Sequence, residues 1–236
     1  IDGAVEFLRK IEASGRNYVF LTNNSSKNAE IYVDKLQKMG LEVKKDKIVT
    51  SGQATIYYLQ QYYPEAKVFL LGNSLLREEF LQAGISLEEE SPDIVVTAFD
   101  TSLDYKKMCK VCDYVRAGLP YVATHPDYNC PTETGFIPDI GAIHEFIHAS
   151  AFRYPDRIIG KPNADIIDYL TSRVSANRDE IAMVGDRLYT DIAAGRQNGL
   201  KSILVLSGEA TMDDVRKSDV LPHMIFDSVK EMTALL

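Results

Sequence analysis

Apolar positions along the chain recur in two alternating rhythms. Residues 3–14 place Ala4, Phe7, Leu8 and Ile11 on one face of a helix, and Gly15 stands where a left-handed residue would end it. Residues 18–21 form a short apolar run of the kind found in buried strands. Asn24, Ser25 and Ser26 then offer N-caps for a second helix, whose Tyr32, Leu36 and Met39 share a face before Gly40. Further strands are predicted at residues 48–49, 68–71, 94–98 and 121–123. The last third repeats the alternation: strands at 157–159, 181–184 and 202–206, a helix at 164–174, and a short helix closing at Gly199. Strands separated by helices predict an α/β fold with a parallel sheet covered on both faces.

Internal repeats and low-complexity tracts are absent. The middle of the chain reads as its own α/β unit, so the expected division is a discontinuous core, residues 1–65 and 155–236, with an insertion at 66–154. Inside the insertion, the run HPDYNCPTETGFIPDIGA is broken by Pro and Gly and reads as an irregular, functional loop.

Composition narrows the class. The 236 residues are 45% hydrophobic and 25% charged, ordinary for a soluble globular enzyme. No apolar run approaches the ~18–20 residues that a membrane-spanning helix needs. Nothing at the start resembles a signal peptide, and the chain opens with Ile1 rather than Met. A net charge of −8 argues against a nucleic-acid-binding surface. It leaves a phosphate substrate open, because a bound cation inverts the local charge. Cys109, Cys112 and Cys130 are too sparse for a disulfide framework and point to the cytoplasm. Tyr105, Met108, Cys109 and Cys112 fall at helical spacing, so the C-x-x-C pair reads as core packing rather than a redox or metal site.

Three polar clusters each follow a predicted strand: Thr22-Asn23-Asn24-Ser25-Ser26, Gly160-Lys161-Pro162-Asn163, and Gly185-Asp186-Arg187-Leu188-Tyr189-Thr190-Asp191. In open α/β sheets, ligands bind beyond the carboxyl ends of the strands, so the three are expected to converge. Thr22 supplies a hydroxyl, and backbone N–H groups near it suit an anion. Lys161 is a point cation for a phosphoryl oxygen. Asp186 and Asp191 are hard oxygen donors of the kind Mg²⁺ prefers. Taken singly, the first cluster is a helix cap and the second a turn before a helix. An aspartate at a strand end followed five residues later by another is harder to explain as capping.

These runs carry a resemblance. FLTNNSS, IIGKPNADI and MVGDRLYTDIAAG resemble the second, third and fourth motifs of haloacid dehalogenase-type phosphatases. The insertion, with ATHPDYNCPTETGFIPDIGAI, resembles the large α/β cap of the NagD and p-nitrophenylphosphatase branch. The resemblance covers essentially the whole chain. It implies a Rossmann-like, doubly wound parallel-sheet core with an inserted α/β cap domain. It also implies hydrolysis of small phosphate monoesters, such as sugar phosphates or nucleotides, through an aspartyl-phosphate with Mg²⁺. Thr22 and Asn23 would hold phosphoryl oxygens, Lys161 would neutralise charge, Asp186 would bind the metal directly, and Asp191 through water or as an orienting partner. Asn24, Asp127, Asn129, Cys130 and Asn163 are the candidate substrate contacts, and residues 125–130 match the position of the family's specificity loop. The expected partner is a small phosphorylated metabolite, with no nucleic acid and no membrane, and a homodimer is left open.

The family's first motif, D-x-D-G-[TS], which supplies the nucleophile and the general acid/base, does not occur in these 236 residues. The expectation is a central strand upstream of the helix at 3–14, so that the strands at 18–21 and 181–184 do not pair directly. A non-catalytic phosphate-binding protein of the same fold is the alternative function. A remoter one is a zinc metalloprotease, because His144-Glu145-Phe146-Ile147-His148 matches H-E-x-x-H. The bland reading of that run is a helix with an apolar stripe of Ile143, Phe146 and Ile147 and the two His on its flank.

Overall fold

The structure, a computed structural model, describes residues 2–236. Helices alternate with parallel strands along most of the chain, as the hydrophobic pattern requires. The chain forms two compact units. The first comprises the chain up to Phe20, Val33–Ile48 and Lys161–Leu236; the second comprises Leu21–Tyr32 and Val49–Gly160.

In the first unit, Ala182–Gly185, Lys201–Val205 and Met224–Phe226 lie in that order as a parallel sheet. Parallel neighbours need crossover connections. Helix Ala193–Gln197 lies in the first crossover and helix Met212–Lys217 in the second. Leu188, Ile192, Leu204, Ala210 and Val215 pack together in the core. A second cluster joins Phe7 to Val205 and Met232, with Leu8 and Ile11 packed alongside. Helix Ala4–Ala13 thus packs its stripe against the sheet through buried Phe7 and partly buried Leu8 and Ile11, a full side-chain burial being worth about 1.5–3 kcal/mol. Strand Ala182–Gly185 has one sheet neighbour among the described residues, Lys201–Val205. Strand Phe20–Thr22 pairs elsewhere, with Ile48–Thr50.

The second unit holds a five-stranded parallel sheet in the order Ser86–Leu87, Lys67–Leu71, Ile94–Thr97, Tyr121–Ala123, Arg157–Ile158. Its central strands are continuous apolar runs because both faces are covered. Helices Ser51–Tyr62, Ser74–Gln82, Tyr105–Arg116 and Ile140–Ala151 belong to this unit. Each begins at a side-chain cap: Thr50 accepts from Gln53 N, Asn73 from Leu76 N, Asp104 from Lys107 N and Asp139 from Ile140 N.

Local readings of the sequence need three corrections. Helix Ala29–Lys38 is capped by Asn28, whose Oδ1 accepts from Ile31 N, and not by Asn24, Ser25 or Ser26. Met39 lies beyond its last turn and is 54% exposed. On helix Tyr105–Arg116 the buried face is Met108, Val111, Cys112 and Val115, while Tyr105 and Cys109 are exposed. Val111 and Val115 replace Tyr105 and Cys109, so the stripe starts and ends three residues later than expected. The run expected to be irregular contains an antiparallel hairpin, Asn129–Thr132 with Gly135–Pro138. Gly135, at φ 145°, adopts the backbone that this tight loop requires and that other residues avoid.

Candidate active site

At the carboxyl end of strand Ala182–Gly185 the chain delivers Asp186, whose carboxylate is half-buried. Asp186 Oδ2 accepts from Glu209 N at 2.9 Å, and its carbonyl accepts from Ala210 N at 3.0 Å. A Cβ on Gly208 would collide with the Asp186 carboxylate, so a glycine there lets the loop after strand Lys201–Val205 wrap it. Arg187 Nε, 2.7 Å from Glu209 Oε2, fastens the same loop.

The next turn, Leu188–Ile192, is a π-helix, a form frequent at functional sites. It turns Asp191 back beneath Gly185, where any larger residue would meet the Asp191 side chain. Asp191 Oδ1 accepts from Lys161 Nζ at 2.7 Å, and Oδ2 accepts from Arg187 N at 3.3 Å. Both partners of this ion pair are nearly buried, with about a tenth of each side chain exposed (11% and 10%). Lys161 precedes a cis Lys161–Pro162 bond, and Asn198 Nδ2 holds the Pro162 carbonyl at 3.0 Å. Asn163, half-buried, begins helix Ala164–Arg173 without a side-chain cap.

The second unit assembles the other candidates. Thr22 Oγ1 accepts from Asn24 N at 3.2 Å, and Asn24 Oδ1 accepts from both Ser26 N and Ser26 Oγ at 2.9 Å. The run at 22–26 therefore folds on itself as an Asx-type turn. Asn23 is 5% exposed, and its Nδ2 donates to Asp127 Oδ1 at 3.3 Å. Asn24 Nδ2 lies 3.6 Å from Cys130 Sγ. Asn129 is exposed and pairs with Pro138 in the hairpin. His125, at the start of the expected specificity loop, is fully buried.

A family model described as haloacid dehalogenase-like hydrolase matches residues 1–86, and a HAD-hydrolase-like model matches residues 158–232. An acid sugar phosphatase of Staphylococcus aureus (strain MRSA252) is 35% identical over 237 residues, spanning 100% of this chain and 91% of that protein. The chain belongs to the haloacid dehalogenase-like hydrolases. Within that family it falls in the NagD-type phosphatase branch. A 4-nitrophenylphosphatase from Thermotoga maritima superposes with a TM-score of 0.95 at 41% identity, covering 99% of this chain and 90% of that one. NagD from E. coli K-12 gives 0.90 at 34% identity, covering 98% and 90%.

The carboxylates of Asp186 and Asp191 could hold a hard divalent cation, as haloacid dehalogenase-like hydrolases generally do. Asp191 has both oxygens engaged, which suits an orienting role or a contact through water. Asp186 keeps an oxygen clear of the bond to Glu209 N, which suits direct ligation. Mg²⁺ takes one or two carboxylates plus water and substrate oxygens, so a larger protein cluster is not required. The sequence reading missed Gly208, Glu209 and Arg187 as supports of Asp186. The run Ser207-Gly208-Glu209 directly after a buried strand was the available signal.

The H-E-x-x-H run needs its own correction. On helix Ile140–Ala151 the buried face is Ile140, Gly141, His144, Ile147 and Ala151, whereas Phe146 is 50% exposed. His144 Nε2 lies 3.1 Å from Thr97 Oγ1, and burial pulls its pKa down to about 3, so the ring is neutral. Glu145 accepts from the Tyr128 and Tyr154 hydroxyls at 2.7 and 2.9 Å, while His148 stacks on Tyr154. His144 thus turns to Thr97, while Glu145 and His148 share Tyr154 as a partner.

Proposed function

We propose that this protein hydrolyses small phosphate monoesters with Mg²⁺ as its resident cation. The observation that carries the reading is the nearly buried Lys161–Asp191 pair at 2.7 Å, beside a half-buried Asp186 at a strand's carboxyl end. Burying two charges is expensive, and a purely structural role would be met as well by apolar residues. Charge-stabilising chemistry is a reason to keep them.

In this proposal Lys161 presents its ammonium charge to the transferring phosphoryl group. Asp191 holds the ammonium in place, and Asp186 is the direct ligand of Mg²⁺. Bound there, Mg²⁺ would neutralise phosphoryl charge as it develops. Thr22 and Asn23 bind phosphoryl oxygens through the hydroxyl and the backbone at 22–24. Asn24, Asp127, Asn129, Cys130 and Asn163 contact the rest of the substrate, and residues 66–154 serve as the family's cap domain. The nucleophile and the general acid/base of the first motif are not among these 236 residues. The roles assigned are therefore binding, orientation and charge stabilisation, which dominate phosphoryl transfer.

The name of the Staphylococcus aureus relative supports placing sugar phosphates first among substrates. Among the described residues no helix is long and apolar enough to cross a membrane. A cytoplasmic location acting on a soluble metabolite is part of the proposal. A panel of phosphate esters, assayed with protein from the complete reading frame, tests it. Turnover of sugar phosphates above nucleotides is expected, and hydrolysis of none of the panel would contradict it.

A further inference from the structure

Four buried side chains of the second unit form one continuous chain of hydrogen-bond contacts. Ser25 Oγ accepts from Phe99 N at 3.0 Å and lies 3.2 Å from Thr124 Oγ1. Thr124 Oγ1 lies 2.9 Å from His125 Nδ1, and His125 Nε2 lies 2.9 Å from Asp139 Oδ1. Asp139 Oδ1 also accepts from Ile140 N at 2.6 Å, which caps helix Ile140–Ala151. Ser25, Thr124, His125 and Asp139 are exposed by 2%, 0%, 0% and 3%, so water does not complete the chain for them.

Thr124 Oγ1 donates to Ser25 Oγ and meets His125 Nδ1, and the Asp139 carboxylate is the partner of His125 Nε2. Ser51 Oγ lies 3.5 Å from His125 Nδ1, and with Asp139 it supplies the residue types of a nucleophilic triad. Ser51 is fully buried, however, and its proton goes to the Asn23 carbonyl. No substrate reaches it, and its effect is to fix the Asn23 backbone.

The chain joins two segments with different duties. At one end is the run at 22–26; at the other are His125 and the helix cap that borders residues 127–138. The segments are also fastened directly, by Asn23 Nδ2 on Asp127 Oδ1. Gly160 makes the approach feasible, since a Cβ there would lie 2.7 Å from both Asn23 Oδ1 and His125 Cβ.

We propose that Thr124 and His125 are positioning residues, which hold the phosphoryl-binding turn at 22–26 in register with the substrate-facing residues 127–130. This rests on the phosphatase reading above and adds to it. Small displacements of binding groups are expensive in rate, up to about 10²-fold for roughly 1 Å.

Thr124→Val removes the linking hydroxyl and keeps the shape, whereas Thr124→Ser keeps the hydroxyl. Both are assayed with protein from the complete reading frame, well below the melting temperature of each. Thr124→Val is expected to raise KM for p-nitrophenyl phosphate and the inhibition constant of inorganic phosphate by about 10-fold or more. Thr124→Ser is expected to stay within about threefold of wild type. If Thr124→Val does not fold, Ser25→Ala cuts the same chain at its other end with less disturbance, and the same rise is expected. An active enzyme whose KM and phosphate inhibition stay within about twofold in the hydroxyl-deleted variant, whatever its melting temperature, would overturn the proposal alone. A wild type that neither hydrolyses the ester nor binds phosphate would overturn the phosphatase reading as well.

Discussion

Lys161 and Asp191 hold each other at 2.7 Å where little water reaches either. Removing one partner leaves the other buried and uncompensated, at a cost of about 3–5 kcal/mol. Lys161→Ala and Asp191→Ala should therefore each lower the melting temperature markedly. Their double mutant should lose much less than the sum, which a thermal-unfolding cycle reads directly. His144 gives a second prediction at this scale. Its pKa is depressed to about 3 in the folded state by burial, against an ordinary value of 6.5. The unfolded chain thus binds a proton below about pH 6.5 that the folded chain refuses until about pH 3. The stability present above pH 6.5 is lost as pH falls through that window, by up to roughly 4 kcal/mol. His144→Gln should flatten this dependence. Urea midpoints at pH 7 and pH 4 that fall in parallel for wild type and variant would count against the assignment.

Elements differ in how plainly the sequence announces them. Ile94–Thr97 and Tyr121–Ala123 were readable because strands covered on both faces are unbroken apolar runs. The hairpin Asn129–Thr132 with Gly135–Pro138 was not. It is largely exposed, so no burial pattern marks it, and its loop lacks the Asn-Gly signal that announces a tight turn. Helix Ser51–Tyr62 was overlooked although Thr50 and Gln53 spell a capping box, a signal weaker than a hydrophobic stripe. The positions of Lys161 and Asp186 just after strands were legible because an apolar run precedes each. The link from Thr124 through His125 to Asp139 depends on tertiary packing that no local pattern records. At this scale the hairpin carries a prediction. Asn129→Ala and Cys130→Ala should change the ranking of phosphate esters by kcat/KM while leaving Mg²⁺ dependence unaltered. A preserved ranking together with weakened metal dependence would remove these residues from the substrate-contact assignment.

For the molecule as a whole, membership of the haloacid dehalogenase-like hydrolases rests on matches at both ends of the chain and on relatives that span all of it. The two compact units and their parallel sheets place the charged candidates at strand ends, where this architecture puts chemistry. The central claim is that Asp186 and Lys161 form a metal-assisted phosphoryl site. Its most direct test is the rate of p-nitrophenyl phosphate hydrolysis by protein from the complete reading frame. Wild type, Asp186→Ala and Lys161→Ala are compared with and without Mg²⁺. The account predicts turnover in wild type only with Mg²⁺ or a similar hard divalent ion. It also predicts a fall of about 10²–10³ or more in each folded variant. Near-wild-type turnover in either variant, or full activity of the metal-stripped enzyme in chelator, would contradict it.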